Sequence, residues 1–244
     1  GRIRIMEVDA VVADVAQQVA AGARHITFGD PDFFNGVHHA RRVVQAVHTA
    51  FPDLTFDCTV KVEHILRFED AWSELAASGC LFVISAFESV NDATLSRLDK
   101  GHTAADGARA IARLREHGIA IRPTWLPFTP WATLADVQDI VEFVADHGLI
   151  GNVDPVQYTI RLLLPAGSLL LGHVDGIGGF DRDRLSYRWT SPLDPLQTRL
   201  AALVERAPDP ADPALYNEIR RALALAPLDL RDVVRSARLT EPWF

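Results

Sequence analysis

The chain has 244 residues, 48% hydrophobic and 23% charged, a balance that supports a packed core and excludes a peptide, a mini-scaffold or a disordered chain. Against a soft prior of about 150 residues per domain, it reads as one large domain, or one domain with an appendage. A net charge of -8, from 24 basic and 32 acidic residues, argues against a phosphate-neutralising nucleic-acid surface.

No stretch approaches the ~20 apolar residues of a membrane span, and Gly1-Arg2-Ile3-Arg4 lacks the apolar run of a signal peptide. The expectation is therefore a cytoplasmic protein that meets small molecules or other proteins, with no nucleic acid and no membrane as partner. Cys58 and Cys80 show neither metal-ligand spacing nor a disulfide framework, and read as small core residues. All but two of the basic residues are Arg; the two lysines, Lys61 and Lys100, both follow predicted strands.

In chain order, Val8, Val12, Val15 and Val19 recur at helical spacing behind Asp9, a good cap, and the helix stops at Gly22. A strand follows over Arg24 to Phe28, then a helix carrying Val37, Ala40, Val44 and Val47, then a strand over Leu54 to Val60. Gly79 precedes a third strand, Cys80 to Ala86. A short helix follows Glu88, and two capping boxes, Thr103 to Asp106 and Thr133 to Asp136, open helices. Between them Gly118 precedes a strand over Ile119 to Trp125, and Gly148 leads towards a last strand over Asp154 to Arg161. Helix and strand alternate as in βαβ units of a parallel sheet.

The strand faces choose between an open doubly wound sheet and a barrel. Asp57, Thr59 and Lys61 oppose Phe56, Cys58 and Val60; Arg122 and Thr124 oppose Ile121, Pro123 and Trp125; Gln157, Thr159 and Arg161 oppose Val156, Tyr158 and Ile160. One polar face repeated across parallel strands fits a barrel lumen that opens on a binding site. The fold class is therefore α/β, a partial (β/α)6 TIM-like barrel over residues 1–171. Because the chain opens on a helix, the barrel is expected to lack its first strand, through truncation or incompleteness. Residues 172–244 read as a C-terminal helical appendage, with helices over Leu196 to Arg206 and Pro213 to Leu225, and with Trp189, Trp243 and Phe244 exposed-looking.

Barrel chemistry sits at the C-terminal ends of strands. Those ends carry Gly29-Asp30-Pro31-Asp32, Lys61 with Glu63, Glu88-Ser89 and Arg161, and Lys100 follows the short helix after Glu88. Gly29 leaves room for a ligand's close approach, Asp30 and Asp32 accept from an amine, Glu88 suits two ribose hydroxyls, and Lys100 suits a carboxylate. A zwitterionic nucleoside-like ligand fits that set. Taken singly, Asp30-Pro31-Asp32 also reads as a plain Asx-capped loop, Glu88-Ser89 as a helix cap, and Lys100 as a helix-end charge.

Together these segments resemble the radical S-adenosylmethionine (SAM) enzymes with a partial barrel. Ile26 to Phe33 looks like the segment that holds the SAM amino group. Phe87-Glu88-Ser89, with Leu95 and Lys100-Gly101-His102-Thr103, resembles the ribose- and carboxylate-proximal segment of the methylthiotransferase and B12-linked branches. His25 to Asn35, Lys61-Val62-Glu63-His64 and Asp154 to Tyr158 are similar to a bacterial radical SAM group with a Cys- or selenocysteine-Ala-Glu-Pro tail, a tail that would begin near Thr240-Glu241-Pro242.

The resemblance implies that Gly29, Asp30, Pro31, Asp32, Glu88, Ser89, Lys100, Arg122 and Gln157 bind SAM, with Arg122 a candidate for its carboxylate. Asp57, Thr59, Lys61 and Arg161 would face substrate. It implies a [4Fe-4S] cluster that reduces SAM to a 5′-deoxyadenosyl radical, a small-molecule or peptide substrate, and an electron donor such as a flavodoxin or ferredoxin. The family's Cys-x3-Cys-x2-Cys loop is absent from the sequence as given, so no metal ligand is assigned, and this chain by itself is expected to bind no cluster and cleave no SAM. Two other readings stand beside this one: a cluster-less barrel kept as a binding or scaffold protein, and a divalent-metal hydrolase or lyase using Asp30, Asp32, Glu63, Glu88 and some of the nine histidines.

Overall fold

A computed structural model describes residues 5–209 and 212–237; Gly1 to Arg4 and the aromatic pair Trp243 and Phe244 lie outside them. In chain order the first elements are α1 (Val8–Ala20), β1 (His25–Phe28), α2 (Val37–Ala50), β2 (Thr55–Thr59), α3 (Val62–Arg67), α4 (Trp72–Ala77) and β3 (Cys80–Glu88). There follow α5 (Asp92–Arg97), α6 (Ala104–Glu116), β4 (Ala120–Trp125), α7 (Leu134–Asp146), β5 (Phe180–Asp181), β6 (Ser186–Tyr187), α8 (Asp194–Arg206) and α9 (Pro213–Ala222). No helix among the described residues is long and apolar enough to cross a membrane.

The chain divides into two compact units. The first runs through Phe87, resumes over Gly101–Thr124 and takes in the residues from Ser236; the second comprises Glu88–Lys100 and Trp125–Arg235.

The sheet has strand order β1-β2-β3-β4, with β1 and β2 parallel and β2 and β3 parallel. Thr27 pairs with Asp57 and Asp57 with Phe82, the register slipping between Phe56 and Asp57. Parallel pairing with a helix before each strand is the expected βαβ alternation, and among the described residues the sheet does not close. In the first unit α2 buries Ala40, Val43, Val44 and Val47. Phe28 stacks on Phe33 at 4.7 Å, and Phe34 lies 4.9 Å from Trp72, whose indole donates to the Ile65 carbonyl at 2.9 Å. Gly79 turns α4 into β3 at φ 96; a Cβ there would lie 2.8 Å from the Leu54 carbonyl oxygen, so only glycine fits.

Both capping boxes form. Asp9 sits in the first turn of α1 while Glu7 occupies the cap, and its carboxylate still complements the helix dipole from there. The last expected strand does not form. Pro155–Thr159 is a 3-10 helix, because Pro155 offers no N–H to a ladder and its fixed φ suits a helical first turn; the Gln157 N–H then donates to the Asp154 carbonyl at 2.9 Å. Only Arg161 regains sheet geometry, as an isolated parallel bridge to Phe128.

In the second unit α7 buries Val137, Ile140, Val141 and Val144. Tyr158 meets Tyr216 edge-on at 5.9 Å, and the Tyr216 hydroxyl donates to the Val141 carbonyl. Arg220, 3% exposed, grips Glu142 through two bonds of 2.9 and 3.0 Å.

Candidate functional site

In the first unit the loop after β1 separates its two acids. Gly29, Asp30 and Pro31 are exposed, and a Cβ at Gly29 would meet nothing within 4 Å. Asp32 turns inward and is 3% exposed. Its Oδ1 accepts a long 3.4 Å bond from the Lys61 N–H, and its Oδ2 lies 2.8 Å from His64 Nδ1 and 3.8 Å from Lys61 Nζ. The His64 contact is close but out of line for a hydrogen bond, so both buried atoms keep unused hydrogen-bonding capacity among the described residues. Of the two acids, Asp30 is the one open to a ligand amine.

Deeper on the lumen face, Asp57 is fully buried and gathers neighbouring strand residues. Its Oδ1 accepts from the Thr27 hydroxyl at 2.8 Å and stands 2.9 Å from His25 Nε2. His25 Nδ1 in turn is 2.9 Å from Thr55 Oγ1. Asp57 Oδ2 is buried with no partner among the described residues. Thr59, one pleat on, is half-buried, whereas Lys61 is exposed at the start of α3.

His25, Thr27, Thr55 and Phe82 line a cavity of about 780 Å³, whose other walls include Val15 of α1 and Ala237. Asp57 sits behind this lining and orients it. His25 and Thr27 escape a search confined to strand ends; their signal is the period-two alternation of β1, which puts both on the face that β2 presents with Asp57. Arg122 belongs to the same face: it is 7% exposed, lies over the Phe82 ring at 5.8 Å, and donates to Ser236 Oγ at 3.3 Å and to the Ala237 carbonyl at 3.2 Å.

In the second unit Lys100 Nζ and Glu88 Oε1 form an ion pair at 3.0 Å, the side chains 24% and 22% exposed. Glu88 holds φ 63, the left-handed region, and its carbonyl accepts from the Leu126 N–H at 2.9 Å. A bulky residue at positive φ where a strand ends is stored strain of the kind found at functional sites. Ser89 is buried and accepts from the Asn91 N–H at 3.1 Å. Asn91 caps α5 and donates to Asp136 at 2.5 Å, so the turn after Glu88 is tied to the cap of α7.

The loss of the last strand removes Gln157, Thr159 and Arg161 from an aligned face. Gln157 Oε1 accepts from the Trp125 N–H at 3.0 Å, taking the place a neighbouring strand would have held. Arg161 lies over the Trp189 ring at 3.5 Å and bonds to Asp194 and to the Trp189 carbonyl. These bonds hold Arg161 to the start of α8, and Thr159 is spent on the Val156 carbonyl at 2.7 Å.

Among the described residues no group of three His, Cys, Asp or Glu side chains stands close enough to hold a metal ion. The acids and histidines of the hydrolase reading do not converge there. Both cysteines are buried and free, and the neighbouring Cys80 thiol together with burial pushes the Cys58 thiol well above its usual range.

No family model matches the chain. Over 94 residues, 38% of this chain and 21% of the other protein, it is 29% identical to bacteriochlorophyllide d C-8(2)-methyltransferase of Chlorobaculum tepidum. Among solved structures it is similar to the cobalamin-dependent S-adenosylmethionine radical enzyme OxsB with aqua-cobalamin and S-adenosylmethionine bound. That match has a TM-score of 0.62 at 14% identity, over 90% of this chain and 42% of that one. It is also similar to the radical S-adenosylmethionine methyltransferase TsrM from Kitasatospora setae with cobalamin and a [4Fe-4S] cluster bound, at TM-score 0.50 and 23% identity, over 58% of this chain and 29% of that one. The chain thus spans less than half of each of these proteins, and its fold is that of radical SAM enzymes, as the strand-end motifs imply.

Proposed function

We propose that the chain is the core of a radical SAM enzyme. The observation that supports the reading is that Gly29-Asp30 and Glu88 stand at the ends of β1 and β3 in a fold shared with radical SAM enzymes. Glu88 there is held at positive φ and paired with Lys100. Within the first unit, exposed Asp30 beside unobstructed Gly29 has the chemistry to accept from an ammonium; within the second, Glu88 suits ribose hydroxyls and Lys100 can exchange its bond to Glu88 for a ligand carboxylate. Asp57, through His25 and Thr27, fixes the lumen lining that would face a substrate. Bound SAM supplies the radical chemistry; the protein's part is to orient it and exclude competing reactions. Among the described residues no group of three His, Cys, Asp or Glu side chains offers a ligand set for a [4Fe-4S] cluster.

On this reading the partners are a small-molecule or peptide substrate and an electron donor such as a flavodoxin or ferredoxin, and the setting is the cytoplasm. The test is calorimetric titration of the chain with S-adenosylhomocysteine. Saturable 1:1 binding, weakened at least tenfold by Lys100→Met, is the expected result; no binding, or binding indifferent to that change, refutes the assignment.

A finer reading, methyl transfer with cobalamin, is favoured by the methyltransferase relative and by the cobalamin in both structural neighbours. Titration with hydroxocobalamin, followed by its visible absorption, tests it; an unchanged spectrum at saturating protein rejects it for this chain.

A further inference from the structure

The lumen cavity of the first unit carries an ordered set of proton-transfer groups at the end away from Gly29. His25 and Gly29 both stand in its wall, four residues apart along β1 and its exit, which is roughly 13 Å of extended chain. At the His25 end, Asp57 Oδ1 accepts from the Thr27 hydroxyl at 2.8 Å and lies 2.9 Å from His25 Nε2. A carboxylate only accepts, so Nε2 carries the ring proton and Nδ1 presents its lone pair. Thr55 Oγ1 faces that lone pair at 2.9 Å. Its other acceptor, the Arg24 carbonyl, is farther off at 3.2 Å and already takes the Thr55 N–H, so the hydroxyl hydrogen belongs to Nδ1. Hydroxyl, neutral imidazole and buried carboxylate, in that order, are the arrangement by which an imidazole takes a proton from a hydroxyl and holds the resulting charge. Stacking on Phe82, at 5.8 Å and 15°, keeps the ring in place. Asp57 is fully buried and its Oδ2 has no partner among the described residues, so the carboxylate has capacity left for the charge that develops on the ring. Around these groups Val11, Val15, Leu81 and Phe82 wall the 780 Å³ cavity, apolar surface of the kind that holds a small molecule's body while a few polar groups orient it.

We propose that this end of the cavity is a proton-transfer site for a small molecule with an apolar body and a hydroxyl or another weakly acidic group. The ligand gives its proton to Thr55 Oγ1 as the Thr55 hydrogen passes to His25 Nδ1. The ligand is left as the anion and His25 as the imidazolium, while Asp57 is the positioning residue that holds the ring and balances its charge. The site uses neither Asp30 nor the Glu88–Lys100 pair, and it stands or falls without SAM.

Two measurements on the full chain test it. Nitrogen NMR of the histidine side chains, with the His25 signals identified by their loss in His25→Gln, should show the neutral ring protonated at Nε2 and bare at Nδ1. The second measurement uses 5-nitrobenzisoxazole, a flat apolar probe whose ring opens when a base takes one proton from carbon. The C–H electron pair becomes part of the nitrile, the N–O bond breaks to release a coloured phenolate, and the proton stays on His25. The chain should catalyse this opening with saturation kinetics. At little-changed KM, kcat should fall about a hundredfold in His25→Gln and in Thr55→Val, and about tenfold in Asp57→Asn, which keeps the shape and loses the charge. Thr55→Ser, which restores the hydroxyl, should recover the activity lost in Thr55→Val.

A neutral ring protonated at Nδ1 overturns the hydroxyl–imidazole–carboxylate order on the parent chain alone, with no substitution that could disturb folding. No saturable opening by the parent, or opening indifferent to His25→Gln, overturns the proton-transfer site. A kcat kept in Thr55→Val, or lost there and not recovered in Thr55→Ser, overturns the relay through the hydroxyl.

Discussion

Glu88 offers a way to separate strain from function. At φ 63 an L-residue sits about 1–2 kcal/mol above its preferred backbone regions, a penalty glycine does not carry. Replacing Glu88 with alanine removes the bond to Lys100, worth about 0.5–1 kcal/mol for a partly exposed pair, and leaves the backbone penalty in place. Replacing it with glycine removes the same bond and relieves the penalty. The glycine variant should therefore exceed the alanine variant by about 1 kcal/mol after the greater freedom of glycine in the unfolded chain is subtracted, and should match or slightly exceed the parent. With a urea slope of about 2–3 kcal/mol per molar, the two midpoints should differ by roughly 0.3–0.5 M. Both variants should lose affinity for S-adenosylhomocysteine alike, since both lack the carboxylate. Equal midpoints, or glycine below alanine, would refute the argument that the backbone at Glu88 is strained; retained binding in both would remove Glu88 from the ligand site.

Other outcomes follow from the same geometry. Asp57→Ala strands the Thr27 hydroxyl and His25 and should cost about 2–4 kcal/mol in urea unfolding, whereas Thr27→Val, losing one bond, should cost about 1. Asp30→Ala should leave stability unchanged, and Asp32→Ala should lower stability by about 2 kcal/mol by leaving His64 and Lys61 without their buried partner. Burial works to raise the Asp136 carboxyl, but bonds from the Thr133 N–H, Asn91 and the Thr133 hydroxyl outweigh it and leave the group below the ordinary carboxylate range. Its stabilisation is thus complete above the unfolded value of about 3.9 and is lost as pH falls through the lower folded value. The stability gap between parent and Asp136→Asn should then hold constant from pH 7 to about 5 and shrink below about 4. Gln157→Ala unpairs the Trp125 N–H and should cost about 1–2 kcal/mol by calorimetry.

The fold was legible wherever a local rule and the global pattern agreed. The valine stripe of α1, both Thr-x-x-Asp boxes and the glycine before β3 each have a short-range physical cause, and each stands where the residues predict it. The last strand failed for an equally local reason. Val156, Tyr158 and Ile160 alternate correctly with polar residues, but Pro155 at their head biases the chain into a helical turn that Asp154 stabilises, and alternation without ladder hydrogen bonds does not make a strand. The small hairpin β5–β6, two residues on each side, is too short to leave a periodic signal, and α3 and α4, of six residues each, span fewer than two turns.

The site was legible as a list of residues and not as an allocation of roles, and the Asp30-Pro31-Asp32 turn shows why. Both acids satisfy the same chemical requirement, and no local rule decides which of them faces solvent. The choice is made by what comes next: Phe33 and Phe34 must be buried, against Phe28 and Trp72, and the several kcal/mol gained by hiding two aromatic side chains outweighs the cost of carrying Asp32 inward with them. That cost is limited because β2 ends at Lys61 and α3 offers His64 one turn on, so a cation and an imidazole await the buried carboxylate. The same logic decides Arg161, whose guanidinium is claimed by Trp189 and Asp194 from far along the chain. A polar residue at a strand end is therefore a candidate ligand contact only if no aromatic neighbour drags it inward and no distant acceptor claims it. By that criterion Asp30 and the Glu88–Lys100 pair remain, and Asp32, Gln157 and Arg161 become the residues that hold the frame.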